Sequence, residues 1–134
     1  KGVWENEPVF SNLHIELDKP YYVGVSVKLT ETGKQGITFY AKDLSNDDEQ
    51  MQLSQVAHNV TSIDANRGPL ALGMVCGGKA TREWDGLIDD VRLSRGALKQ
   101  EQLLLTQENP TEQTVGLWQF EMQPGMFQDS SGNK

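Results

Sequence analysis

The sequence predicts an all-β fold, a sandwich of two antiparallel sheets with one short helix. Three observations carry that expectation. Apolar and polar residues alternate with period two along several short segments, as half-buried strands require. Clusters of Gly, Pro, Asn, Asp and Ser punctuate those segments at close intervals. Only one stretch, Ala97 to Gln107, carries a helical apolar stripe. Many short strands with one short helix bury their apolar faces best as two packed sheets. With 134 residues the chain is expected to form a single domain over 1–134, large enough for a modest core.

Taken in order, residues 1–12 read as extended chain with Trp4, Val9 and Phe10 as apolar anchors. Leu13 to Leu17 alternates, which predicts a strand with Leu13, Ile15 and Leu17 inward. Asp18-Lys19-Pro20 is a turn. From Tyr21 to Leu29 the pattern is again a strand: Tyr21, Val23, Val25, Val27 and Leu29 share one face. Tyr22, Gly24, Ser26 and Lys28 make a lighter, more polar one. Thr30 to Gly36 is a glycine-bearing hairpin loop, and Ile37 to Leu44 is its partner strand, rich in β-branched and aromatic residues. Ser45 to Glu49 turns the chain, after which Met51, Leu53 and Val56 continue the sheet. His58 to Pro69 is loop, and Leu70 to Val75 is a further strand ending at Cys76-Gly77-Gly78. The helix of Ala97 to Gln107 stops at Asn109-Pro110. Val115 to Glu121 is the last strand, with Trp118, Phe120 and Met122 on one face.

Composition removes several classes of function. Lys and Arg number 12 against 19 acidic residues, a net charge of −7 without any basic cluster. A nucleic-acid backbone is therefore not an expected partner. No apolar run approaches the roughly 20 residues of a membrane helix, so insertion is not expected. Cys76 is alone and forms no internal disulfide. The N-terminal residues lack a secretory leader pattern, and the chain is expected to be a piece of a larger protein.

The most specific stretch runs from Trp84 to Leu98. Trp84, Gly86 and Ile88 share one parity, whereas Val91 and Leu93 fall on the other. One face collects all of the apolar residues only if the strand slips phase, and a β-bulge at Asp89-Asp90 would supply that slip. Trp84 then becomes a core anchor. A strand of the form G-x-I-D-D-V-R-L, followed by S-R-x-A-L and a short helix, resembles the closing segment of the laminin-G-like jelly roll of the concanavalin A-like lectin and glucanase superfamily. The likeness is closest to versions embedded in large secreted bacterial proteins. It implies a jelly-roll sandwich and an extracellular or periplasmic setting. Such domains open with W-x-F and D-S-S-G-N. Here Trp118-Gln119-Phe120 and Asp129 to Asn133 come after the closing strand. Residues 110–134 are thus either a permuted opening strand or the start of a following domain. The family arrangement implies that Val115 to Glu121 lies antiparallel beside Asp90 to Leu93, with Trp118 and Phe120 buried.

Candidate chemistry is sparse. Glycan-hydrolysing relatives place two carboxylates across the bond on a strand of the form E-x-D-x-E. No such run occurs here, and the chain is read as non-enzymatic. Calcium takes six to eight oxygens from carboxylates and carbonyls. Asp47, Asp48 and Glu49 crowd oxygens into one turn, and Asp129 begins another, so these residues are the candidate calcium ligands. Tyr22 and Tyr40 fall on the lighter faces of neighbouring strands, where they either cover the core or the second sheet or, if exposed, could stack on a sugar. The expected function is a recognition or spacer module binding glycan or protein within a secreted multidomain protein. The alternatives are a domain without a ligand of its own that only packs against neighbouring domains of the parent protein and, least favoured for want of the carboxylate run, a glycan hydrolase.

Overall fold

A computed structural model describes residues 9–62, 70–73, 84–121 and 128–133. It is all-β: two antiparallel sheets and, among the described residues, a single 3₁₀ turn. The chain divides into two compact units, Lys1–Ser62 with Gly96–Glu108, and Ile63–Arg95 with Asn109–Lys134. No helix among the described residues is long and apolar enough to cross a membrane.

The first unit holds a three-stranded meander of β1 (Tyr21–Val27), β2 (Ile37–Asp43) and β3 (Gln52–Val56) in that order. Both pairings follow the sequence pattern, with Val25 opposite Phe39 and Phe39 opposite Ser54. Directly opposed residues share a face. Val23, Val25 and Val27 therefore stand with Ala41, Phe39 and Ile37, and Tyr22, Gly24 and Ser26 stand with Lys42, Tyr40 and Thr38.

Parity within the sheet is as expected, and on β1 the lighter face is the covered one. On the lighter face the Ser26 and Tyr40 hydroxyls both donate to the carbonyl of Leu98, at 3.1 and 3.5 Å. The chain around Leu98 therefore lies against that face, and Ser26 and Tyr40 are buried. On the other face Ile37 and Ala41 are buried in the middle strand, yet Val23, Val25 and Val27 on β1 remain exposed.

Other expectations over this unit need correction. Leu13 to Leu17 forms no strand, and Ile15 and Leu17 are exposed. Alternation supplies a strand only where a neighbour completes its ladder. Val9 and Phe10 are exposed rather than anchored, and Trp4 lies outside the described residues. The expected helix over 97–107 is a 3₁₀ turn at Gln100–Gln102. Its bonds close three residues apart, Gln102 to Lys99 and Leu103 to Gln100. Leu103 then turns to extended backbone, with ψ at 159°, which ends the helical run, and the Thr106 hydroxyl donates to the carbonyls of Gln100 and Leu103.

The second unit pairs β4 (Val91–Ser94) with β5 (Thr114–Trp118), antiparallel, Val91 opposite Trp118 and Arg92 opposite Leu117. The predicted return of the last strand beside the closing strand is therefore present. Its buried residue differs: Leu117 is only 2 % exposed, whereas Trp118 and Phe120 are half-buried. The Trp118 ring folds over Gly116 of its own strand, where a Cβ would collide with it. Phe120 has left the strand, with φ at 50°. Met122 lies outside the described residues.

Trp84 to Asp90 is not strand, and Trp84 is 60 % exposed rather than a core anchor. Its amide donates to Gly73 O and its indole N–H to Leu87 O, which holds a loop. The phase slip takes another form. Asp90 adopts φ 47°, and β4 begins afresh at Val91, so no bulge is needed there. The irregularity in the β4–β5 ladder lies at Leu93/Ser94 instead. Leu70 to Gly73 is likewise not strand, and Met74 and Val75 lie outside the described residues.

Candidate functional site

The most exposed apolar feature of the three-stranded sheet is the valine row of β1. Val23 is 64 %, Val25 60 % and Val27 37 % exposed. The sequence places them there because β-branched residues at every second position make a stiff strand with one aliphatic face. The ladder to β2 holds them in register, and it is prolonged at both ends by Lys28 N–H to Gly36 O at 2.8 Å and Leu44 N–H to Pro20 O at 2.9 Å. At one end the loop is locked by His58. Its amide donates to Thr32 O, and its buried ring sits 2.9 Å from Lys28 O, with Nε2 as the donor. Gly36 leaves the room that this ring occupies; an added Cβ would meet Cδ2 at 2.5 Å. At the other end Lys19 links Glu16 at 2.8 Å and the buried Asp43 at 3.2 Å. Both partners, Glu16 first, push the Lys19 ammonium above the ordinary lysine range.

The residues singled out for ligands lie in other surroundings. Tyr40 is 6 % exposed, with its hydroxyl on Leu98 O, and presents no face to a sugar. Tyr22 is half-buried on the same face, its hydroxyl 3.1 Å from where a Gly24 Cβ would stand. Asp47, Asp48 and Glu49 do form a turn, and Asp48 N–H donates to Asn46 Oδ1. Lys42 Nζ donates to Glu49 O at 2.8 Å and to Asp47 O at 3.3 Å. Glu49 Oε1 also accepts from Gln52 Nε2 at 2.9 Å.

Asp129 belongs to the second unit and does structural work there. Its Oδ1 accepts the amides of Leu117 and Ser131, each at 2.8 Å, and Oδ2 accepts the Ser131 hydroxyl at 2.9 Å. Asn133 Nδ2 donates to Thr114 O at 2.8 Å. Asp129-Ser130-Ser131-Gly132-Asn133 is thus a clip along β5. The N–H of Leu117, then the N–H and hydroxyl of Ser131, hold the Asp129 carboxyl below the usual carboxylate range. Among the described residues no group of three or more His, Cys, Asp or Glu side chains is arranged to hold a metal ion.

Sequence reasoning missed the open valine row and the Lys42 ammonium. The second had a signal: a lysine on the strand leading into an oxygen-rich turn is within reach of that turn's carbonyls. A scan against family models, a search of curated proteins and a search of solved structures each found no match to this chain.

Proposed function

We propose that this chain is a non-catalytic recognition or spacer module of a secreted multidomain protein, and that it engages protein through the valine face of β1. The observation that carries the reading is the exposure of Val23 and Val25 on a strand held in place at both ends. Aliphatic rows of this kind mark contact surfaces on soluble domains. They favour an apolar protein surface over a sugar, because a pyranose needs an aromatic face and convergent polar groups. Packing against a neighbouring domain of the parent protein is the second reading, and the same row supports it. The secreted setting rests on the laminin-G-like resemblance of the Trp84 to Leu98 stretch.

A glycan array probed with calcium and again with chelator tests the ligand class, run beside calorimetry of the Val23→Thr/Val25→Thr variant. Both substitutions are at exposed positions, so each should change stability by no more than about 0.5 kcal/mol. The reading expects no glycan capture in either condition and a melting midpoint that calcium does not raise. A ligand bound only by the native state would raise it. Calcium-dependent capture of a glycan would overturn the protein assignment and support Asp47, Asp48 and Glu49 as calcium ligands.

A further inference from the structure

We propose that two copies of this chain pair through β1, edge to edge and antiparallel, about a two-fold axis at Gly24. Strand β1 stands at the edge of its sheet, and no strand lies beyond it among the described residues. Its outward backbone groups follow from the ladder on its other side. Lys28 N–H bonds Gly36 O and Leu44 N–H bonds Pro20 O, so the even-numbered residues turn their backbone groups toward β2. Antiparallel alternation then points the N–H and C=O of Tyr21, Val23, Val25 and Val27 away from it.

The sequence of that edge fits its own copy. About an axis at Gly24, Tyr21 faces Val27 of the second copy and Val23 faces Val25, so each outward-pointing residue meets another. Gly24 meets Gly24 at a position between hydrogen-bonded pairs, where backbones approach most closely, about 4.5 Å between Cα atoms. The absence of a side chain there suits that approach. Edge strands are ordinarily protected by charge or proline. Tyr21 to Val27 contains neither, so no like charges oppose one another when the strand meets itself. Lys28 falls opposite Pro20 of the second copy with Asp18 two residues on, which sets opposite charges near each end. The exposed valines of both copies also continue one another on a single face. An isologous contact of this kind closes on itself and does not propagate. A contact made by one strand per partner is small, so the dimer is expected to be reversible and concentration-dependent.

Sedimentation velocity over a concentration series tests it, using the wild-type chain, Val25→Pro and Val23→Lys. The Val25 N–H points outward, so proline removes a donor from the free edge without taking a bond from β2. The wild type should show a reversible monomer–dimer equilibrium. Each symmetric variant loses its contact twice, and dimerisation should weaken by roughly tenfold or more. Val23→Lys carries the test if the proline variant does not fold. A wild type that sediments as monomer throughout would overturn the proposal, as would variants that dimerise as tightly as the wild type.

Discussion

Asp43 and Asp129 play one part in two places. Each accepts the backbone N–H of the serine two residues on, Ser45 and Ser131, and also that serine's hydroxyl. A carboxylate that gathers donors in this way ends a strand or fastens a turn, because it satisfies amides that have left the ladder. The Ser45 hydroxyl and N–H, and then the Lys19 ammonium, hold the Asp43 carboxyl below its ordinary value. For both residues the folded value lies below the unfolded one. Their contribution is therefore present above the ordinary carboxylate range, near pH 3.9, and is lost as pH falls through the depressed folded values. The melting midpoint should hold steady from neutral to about pH 5 and decline below about pH 4. Asp129→Asn should melt lower at neutral pH and decline less steeply in acid, which calorimetry across pH would show. An acid decline as steep as the wild type's would contradict this role. The turn at Asp129 was legible from its run of Asp, Ser, Gly and Asn. The one at Asp43 was not, because Leu44 extends the apolar pattern of the strand past its true end.

At the scale of elements, legibility followed partnership. β1, β2 and β3 alternate and lie within hairpin reach of one another, so pattern and pairing agree. Leu13 to Leu17 alternates equally well and is not a strand, since periodicity says nothing about where a ladder partner lies. The β4–β5 pair shows the opposite case. No short-range pattern links Val91–Ser94 to Thr114–Trp118, and only the family likeness of the two stretches suggested that they meet. That pairing carries its own test. A chain ending at Asn109 leaves β4 without its partner, and the Asp129 clip goes with it. Hydrogen exchange at the amides of Leu93 and Arg95, which face β5, should then rise to the rate of an open segment. Protection retained at β4 would show that β5 is dispensable to it.

Across the whole molecule, the sequence predicts which residues share a face more reliably than which face is covered. Strand periodicity fixes the first through the pleat; the second depends on where distant segments fall. Here the polar face of β1 received the chain around Leu98, since Ser26 and Tyr40 offer hydroxyls that its carbonyl accepts. The valines stayed outside, and their row is the proposed contact surface. Thiol labelling measures it directly. With Cys76→Ser as background, Val25→Cys in dilute protein should be alkylated by a small reagent at the rate of an unstructured model thiol, because Val25 is 60 % exposed. Reaction only at the pace of local or global unfolding would mean that the valine row is buried after all, and would contradict the proposed contact surface.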